Sequence, residues 1–538
     1  MTTLFRANTM SPVLTFKLIL LSLVAIIGLE LVARRLRLPP AAALLVGGAA
    51  MAFVPGLPRV ELDPELVLIV FLPPLLMDGA YFTVWDDFRR NLKGILLLAI
   101  GAVVFTTLVV GCVVHWIAPG LPWGACFALG AIVSPPDAIA AKAVLERVAL
   151  PRRVMVLLEG ESLLNDAVGL VLYRFAVAAA LTGAFSFPHA MGSFTVLSLG
   201  GVVVGAIIGY AVVKLLRFLE DTYLVIVATA LAAWICYAVG EALNVSGVMA
   251  TVTYGMMLGW HQHDIVSAAV RIRGTAFWQV VVFLFESLVF ILIGLSLRDV
   301  IGRIGGAGEA LAAFVPAVAA ILGAVVLSRF LWIFGVDGLE ATWRRLARRD
   351  TRRPDWRAAT VKSWAGMRGV VTLAVALALP ASMPGRDLIL VASFAVIVFT
   401  VLVQGATIGP LIELLKLDTT EARDARYLTE PQAWARLEAV QFAAVSTLAY
   451  DAGGRLAHPR LLEQYGYRAR MSREHEDEAE LPPEARQSHY DIVLAAVAAG
   501  RKELLRLHRG GHLHDELLVE LEHDLDLQEV SALHGRGA

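Results

Sequence analysis

Charged side chains are scarce in this sequence. Lys, Arg, Asp and Glu together make up 17% of the 538 residues, whereas hydrophobic residues make up 58%. A soluble protein of this length needs far more polar surface, so the composition excludes that class. Several runs of more than 18 residues carry no charge at all, among them 94–114, 190–213 and 222–240. Each is long enough to cross a hydrocarbon layer of about 30 Å as a helix, which predicts an all-α polytopic membrane protein.

Cysteine is also rare, and catalytic motifs are lacking. The three cysteines, Cys112, Cys126 and Cys236, lie in apolar segments without paired spacing, which argues against disulfides and against a cysteine-based metal site. The sequence shows no nucleophile with a neighbouring base and no metal-binding pattern of histidines. We therefore predict that the protein is not an enzyme and needs no cofactor, and nothing points to a nucleic-acid partner.

The hydrophobic segments predict about thirteen transmembrane helices. They lie near 12–33, 40–56, 65–83, 94–117, 121–145, 153–182, 190–216, 222–240, 243–261, 276–297, 309–335, 358–382 and 387–414. Lys and Arg concentrate in the odd-to-even connections, for example at Arg34 and Arg35 and between Arg344 and Arg357. Cytoplasmic loops carry such an excess, so we expect the N-terminus outside the plasma membrane and the C-terminus inside.

The composition changes after residue 417. Residues 418–538 are rich in Glu, Arg and His and include amphipathic stretches. This pattern predicts two parts, a transmembrane domain over 1–417 and a helical cytoplasmic tail over 418–538. No motif indicates what the tail does.

A few ionisable side chains interrupt the apolar spans. Such groups are costly in lipid, and several of them together mark an ion or proton path. Counted along the spans from the loop boundaries, five of these charges lie near the membrane midplane, whereas Arg329 lies closer to the cytoplasmic end and Glu286 is a further charge in the tenth span. The five are Asp78, Asp137, Glu161, Asp166 and Arg368. A single buried ion pair would suit a purely structural role, but a cluster with surplus acid favours transport.

The stretch EGESLLNDA, residues 159–167, carries most of this acid. Positions i and i+4 share a helix face, so Glu161 lies above Asn165, and Ser162 lies above Asp166. Carboxylate, amide and hydroxyl oxygens suit a small hard cation. Glu159, nearer the cytoplasmic end, is assigned either to the structure or to the entrance of the path.

Two spans are expected to be broken helices. In the fifth, Pro135 and Pro136 remove two backbone donors and bias the chain away from helical geometry just before Asp137. In the twelfth, Gly366 and Gly369 flank Arg368. Interrupted helices at corresponding positions of two halves predict a transporter built from inverted repeats, with the breaks in spans 5 and 12.

Six segments in consistent order resemble the NhaP and eukaryotic exchanger branch of the sodium–proton antiporters. They are FLPPLLMDGAYF (71–82), SPPDA (134–138), EGESLLNDA (159–167), FLFESLVFILIGLSL (283–297), LSRFLWIF (327–334) and GMRGVV (366–371). The resemblance covers roughly residues 15–415. It implies thirteen helices, a mobile core domain with two crossing broken helices, and a dimerisation domain, hence a homodimer in the lipid bilayer.

The resemblance also implies roles for individual residues. Asp166 matches the family's essential cation- and proton-binding aspartate, with Asn165 beside it and Ser162 as a hydroxyl of the ion site. Glu161 matches an acid that pairs with an arginine of the eleventh span, here Arg329. The remaining candidates are Asp137 at the fifth-span break, Arg368 for charge compensation, and Asp78, Ser134 and Glu286 as additional groups. The family's threonine at the fifth-span break is absent here, and Ser134 or a backbone carbonyl is the candidate to replace it.

The expected mechanism follows from a carboxylate that cannot hold two positive partners. Burial disfavours the charged form of Asp166, so Na⁺ and H⁺ compete for it, with Na⁺ held as substrate at Asp166 and Ser162. Alternating access then gives Na⁺ (or Li⁺) for H⁺ antiport, and the neutral Asn165 resembles the electroneutral, one-for-one branch. The alternatives are a K⁺/H⁺ antiporter of the same fold and a cation channel, although no selectivity filter is visible.

Overall fold

The computed structural model describes most of the chain. The described residues are 12–36, 38–55, 64–137, 150–183, 186–303, 309–346, 355–417, 428, 430–451, 453–474, 483–510, 512–513 and 515–537. Within these ranges every regular element is an α-helix or a π-helical segment. The chain divides into two compact units, Met1–Glu421 and Ala422–Ala538.

The first unit consists of long apolar helices and several shorter ones. In chain order they are α1 Pro12–Leu36, α2 Pro40–Ala52, α3 Pro64–Phe82, α4 Trp85–Ile117, α5 Trp123–Val133, α6 Arg152–Thr182, α7 Phe187–Leu216, α8 Thr222–Ala242, α9 Gly247–Ile265, α10 Ala268–Arg303, α11 Glu309–Leu346, α12 Trp356–Trp364, α13 Val370–Leu377 and α14 Arg386–Leu415. Two of them contain a π-helical segment, Leu97–Ala102 in α4 and Thr400–Gln404 in α14.

The prediction of an all-α polytopic membrane protein is confirmed. Among the described residues, eight helices are long and apolar enough to cross a membrane, and α2 and α5 are shorter apolar helices. Each predicted span overlaps a helix, and the twelfth overlaps the pair α12 and α13. The second half of the fifth span lies in residues 138–149, outside the described part of the chain. The number of thirteen crossings therefore stays a prediction.

The described residues show the predicted break in the twelfth span and the predicted helix end before the prolines of the fifth. Helix α5 ends at Val133, just before Pro135 and Pro136, neither of which has an N–H to continue the helical ladder. Helix α12 ends at Trp364, and the chain is non-helical until Val370. The two non-helical segments, residues 134–137 and 365–369, are called here the interrupted segments. They contact each other directly, because the Asp137 amide donates a hydrogen bond to the Met367 carbonyl at 2.7 Å.

The helices of the first unit pack in two groups. One, called here the site group, contains α4, α5, α6, α11, α12, α13 and α14; the other, called the flanking group, contains α1, α2, α3, α7, α8, α9 and α10. Helices pack mostly within their own group, and the groups meet mainly where α3 and α10 contact α13 and where α9 contacts α6. The two interrupted segments and α6 thus belong to the site group.

Glycines allow the closest helix contacts in the flanking group. Gly294 of α10 lies against the backbone of α2, where a β-carbon would come within 2.5 Å of the Ala49 amide nitrogen. Gly48 of α2 lies in the same way against the backbone of Ile291. Small residues at such positions let backbones approach, which is how helices associate in lipid where the hydrophobic effect between them is weak.

The second unit is also helical. It contains α15 Glu430–Leu448, α16 Pro459–Glu474, α17 Pro483–Arg509 and α18 Asp515–Gly537. Helix α15 packs on α16, and the buried Glu438 carboxylate accepts hydrogen bonds from Arg468 and Ser472. Helix α17 packs on α18, where Arg501 pairs with Asp526. The predicted boundary at 417/418 is followed by residues 418–427, which lie outside the described part of the chain.

We predict that Gly294→Ala destabilises the protein by about 1–3 kcal/mol, the usual cost of overpacking a tight contact, because the new methyl group would collide with the backbone of α2. The thermal midpoint of the purified protein in detergent measures this. The matched control is Gly323→Ala in α11, where a β-carbon meets nothing within 4 Å and alanine favours the helix. Equal midpoints for the two variants would contradict the packing role of Gly294.

Candidate functional site

A pocket of about 110 Å³ lies among α3, α6, α10, the first residues of α13 and Asp137. Five carboxylates line it, and no Lys or Arg is among its described lining residues. The five are Asp78, Asp137, Glu159, Asp166 and Glu286. Asp78 and Glu286 come from the flanking group, whereas the other three come from the site group. The pocket therefore combines carboxylate oxygens from both groups in a setting that attracts cations.

Two faces of helix α6 have different surroundings near this pocket. Ser162 and Asp166, one turn apart, line the pocket together with Glu159, whereas Glu161 and Asn165 are buried within the protein. This separation follows from the helical period, since positions i and i+4 lie on one face. Some oxygen-bearing side chains of α6 thus line the pocket, whereas others are buried against neighbouring helices.

Gly169 and Asn165 of α6 contact the segment that leads to Asp137, which lines the same pocket as Asp166. Gly169 leaves the space that the Pro135 ring occupies. Asn165, which is fully buried, donates a hydrogen bond from its amide nitrogen to the Pro136 carbonyl at 2.5 Å. This carbonyl lies in the non-helical segment after α5, and the buried Asn165 amide satisfies it there. The amide oxygen of Asn165 has no hydrogen-bond partner in the described part of the chain.

Arg368 is buried and binds the end of α5. Its Nε donates to the Val133 carbonyl at 2.8 Å, and its Nη2 donates to the Ser134 carbonyl at 3.3 Å. A further guanidinium nitrogen donates to the Gly366 carbonyl, and the backbone amide of Arg368 donates to the Thr400 hydroxyl at 3.1 Å. A cation at a helix C-terminus both satisfies the last carbonyls and compensates the negative end of the helix dipole.

Glu161 and Arg329 form a buried, bidentate salt bridge. Arg329 donates from Nη1 and Nη2 to the two carboxylate oxygens of Glu161 at 2.6 and 2.8 Å. The side chains are only 1% and 4% exposed, and Arg329 Nε also donates to the Lys362 carbonyl at 3.1 Å. The pair joins α6 to α11 and α12 in the site group. Fork-to-fork geometry of this kind is the strongest form of an Arg–carboxylate contact.

Not every candidate faces the pocket. The Ser134 hydroxyl lies 3.0 Å from the Thr107 hydroxyl of α4 and is buried there, outside the pocket lining. Glu159, which sequence reasoning assigned to either structure or entrance, lines the pocket, and its position three residues before Ser162 is the signal that places it on that face. Thr400 has no comparable signal, because it lies in a continuous apolar run and meets Arg368 only through the tertiary fold.

We predict that Glu161→Gln lowers the stability by about 3–5 kcal/mol, because it leaves the Arg329 guanidinium as an uncompensated buried charge. The thermal midpoint of the purified protein checks this, and the double variant Glu161→Gln/Arg329→Gln should recover part of the loss. The control is Glu413→Gln on the exposed surface of α14, expected to change stability by less than about 0.5 kcal/mol. An unchanged midpoint with altered Na⁺ affinity would instead make Glu161 an ion-site residue.

Comparison with known proteins identifies relatives of this chain. Residues 19–414 match the model of the family described as sodium/hydrogen exchanger, transmembrane. The sodium, potassium, lithium and rubidium/H⁺ antiporter of Bacillus pumilus is 33% identical over 411 residues, which cover 73% of this chain but only 60% of that longer protein. The Na⁺/H⁺ antiporter ApNhaP of Aphanothece halophytica is 32% identical over 393 residues, with 73% of this chain and 72% of the relative covered.

A solved structure supports the same fold. The sodium proton antiporter MjNhaP1 from Methanocaldococcus jannaschii, determined at pH 8, superposes with a TM-score of 0.61 and 21% sequence identity, covering 76% of this chain and 100% of that one. At this identity the likeness concerns the fold alone. The family match, in contrast, spans nearly all helices of the first unit, including α6 and both interrupted segments. The chain belongs to the sodium/hydrogen exchanger family.

Proposed function

We propose that this protein is a secondary antiporter that exchanges Na⁺ for H⁺ across the plasma membrane, with Asp166 as the group for which the two ions compete. The observation that carries the proposal is the pocket beside α6, where Asp166 and Ser162 meet four further carboxylates and no basic side chain among the described lining residues. Membership of the sodium/hydrogen exchanger family supports this assignment.

The pocket chemistry explains why exchange is coupled. A carboxylate among apolar residues such as Leu75, Leu163 and Val371 is poorly solvated, and its negative charge calls for a positive partner. Na⁺ and H⁺ each satisfy that demand, but one carboxylate does not hold both. If only the neutralised site moves between the two sides, then binding of one ion on one side requires release of the other, which couples the two fluxes.

The surrounding residues divide into ligands and supports. Ser162 and Asp137 are the proposed oxygen ligands beside Asp166, since hard oxygens suit Na⁺ and Li⁺. Asp78 and Glu286 face the same pocket from the flanking group and are proposed to contribute when the ion is bound. The remaining site residues act as supports: Asn165 and Arg368 hold the end of α5, and Glu161 with Arg329 holds α6 against α11.

A K⁺/H⁺ antiporter is the second candidate. The Bacillus pumilus relative is named as an antiporter of sodium, potassium, lithium and rubidium, so a relative of this chain carries a name that includes ions larger than Na⁺. Oxygen ligands from two helix groups, Asp78 and Glu286 on one side and Asp166 on the other, would fit ions of different radius if the groups shift relative to each other. The type and number of oxygens alone do not fix the radius of the bound ion.

The proposed topology and assembly are based on the sequence. We propose that the N-terminus lies outside and that the second unit, containing α15 to α18, lies in the cytoplasm, because Lys and Arg concentrate in the odd-to-even connections. On this orientation the pocket, which extends along α6 from Asp166 toward Met155, opens to the cytoplasm. A homodimer is proposed by analogy with the family.

We predict that Asp166→Asn abolishes cation/proton exchange while the protein stays folded. The neutral amide neither takes up and releases a proton nor carries the negative charge for which Na⁺ and H⁺ compete. Dissipation of a pH gradient in proteoliposomes, measured on adding Na⁺, Li⁺ or K⁺ separately, tests both the site and the choice of ion. The control is Asp264→Asn at the exposed end of α9, which should exchange like the unmodified protein. Full exchange by Asp166→Asn would rule out the proposed site.

We further predict that exchange moves no net charge. The neutral Asn165 amide is bonded to the Pro136 carbonyl outside the pocket, so Asp166 is the single carboxylate of the Asn–Asp pair that changes partners. Exchange rates in proteoliposomes should therefore be the same when a membrane potential of either sign is imposed with K⁺ and valinomycin, provided Na⁺ is the transported ion. A rate that rises with one sign of potential and falls with the other would show a stoichiometry other than one for one.

A further inference from the structure

Beyond Asp166, toward its C-terminus, α6 ends in a charge that the proposed exchange does not use. Ala167, Leu170 and Arg174 follow each other at intervals of three and four residues, so they form one stripe along the helix beyond Asp166. None of the pocket-lining residues of α6 lies beyond Asp166 toward its C-terminus. The stripe therefore continues on the side of Asp166 opposite to the pocket.

The apolar part of the stripe packs on the flanking group. Ala167 belongs to a buried cluster with Tyr237 of α8 and with Val248 and Val252 of α9, and Leu170 packs against the edge of this cluster. These contacts fill the space between α6 and the α8–α9 pair. They form an apolar seal on the closed side of Asp166, at a place where the site group meets the flanking group.

An ion pair lies at the outer end of this seal. Arg174 Nη2 donates to Glu241 Oε2 at 3.0 Å, which connects α6 to the last turn of α8. The other oxygen of Glu241 accepts a hydrogen bond from the backbone amide of Gly247, the first residue of α9, at 3.4 Å. The side chains of Arg174 and Glu241 are 51% and 35% exposed, so the pair is accessible and not part of the buried seal.

We propose that the Arg174–Glu241 ion pair is a latch that holds closed the side of Asp166 opposite to the pocket. The latch joins the two helix groups only while Ala167 and Leu170 are packed against α8 and α9. Opening of that side requires α6 to separate from the α8–α9 turn, which breaks the pair. The proposal rests on the proposed exchange, in which Asp166 must become accessible from each side in turn. The contacts that form the latch are separate from those of the pocket.

The expected effect is modest because the pair is partly exposed. Exposed ion pairs contribute little, so loss of the latch should raise the population that is open on this side by about 1.5- to 5-fold. An effect of this size is measurable as accessibility of a reporter residue in the seal. Leu170, half-buried between the pocket and the latch, is the reporter position.

The experiment uses the full-length chain with Cys112, Cys126 and Cys236 replaced by Ala and with Leu170→Cys as reporter. A membrane-impermeant charged maleimide is applied in separate samples to each side of the membrane, using intact cells and inverted vesicles. A second reporter, Thr182→Cys at the exposed end of α6, identifies the side that carries the latch. We expect Arg174→Gln to speed the labelling of the Leu170→Cys reporter from that side by about 1.5- to 5-fold and not from the other side.

Four further variants decide the outcome. Glu241→Gln should have the same effect as Arg174→Gln, and the charge-swapped pair Arg174→Glu/Glu241→Arg, like the conservative Arg174→Lys, should return the rate to that of the unmodified pair. Arg34→Gln, which removes the exposed Arg34–Glu30 pair within α1, should leave the rate unchanged. Equal labelling rates in all variants, or a faster rate that neither the swap nor lysine restores, would overturn the latch.

Labelling does not depend on transport, so the two proposals fail separately. Loss of the labelling effect with intact Na⁺/H⁺ exchange would reject the latch alone. Full exchange by Asp166→Asn, with labelling that still responds to Arg174→Gln, would reject Asp166 as the exchange site and leave the latch standing.

Discussion

The contact on which the site depends is that between Arg368 and the end of α5. A helix that stops within a membrane leaves carbonyl groups without partners, and this is costly where no water is present. Arg368 satisfies two of these carbonyls by donating hydrogen bonds to Val133 and Ser134, and the Asp137 amide donates to the Met367 carbonyl. The two interrupted segments therefore satisfy each other. As a result the chain can turn at Asp137 and present its carboxylate to the pocket beside Asp166.

Helix α6 serves two purposes because its two polar faces meet different surroundings. Glu161 and Asn165 are bonded to Arg329 and to the Pro136 carbonyl, so they fix the position of α6 within the site group. Ser162 and Asp166 face the pocket. A rigid support on one face keeps the oxygens of the other face in place, which a site for a small cation requires.

Much of this arrangement follows from local rules, and the rest depends on distant contacts. The prolines before Asp137 predict the end of α5, and the helical period predicts which residues of 159–167 share a face. The direction of the Ser134 hydroxyl, which meets Thr107, depends instead on how α4 packs beside α5. The same holds for Thr400, which meets Arg368 across 32 residues of sequence. Such contacts are set by packing between helices, for which a single sequence has no local signal.

The distribution of charge around Asp166 gives the two sides of the site different properties. On the pocket side, carboxylates from both helix groups face each other, and their mutual repulsion favours separation of the groups unless protons or cations are bound. On the far side, an apolar seal and one pair of opposite charge hold the groups together. An ion bound at Asp166 weakens this repulsion, whereas the attraction of Arg174 for Glu241 does not depend on the ion. On the proposed mechanism, loading of the pocket thereby reduces the force that separates the groups on this side, and this lets the site change sides.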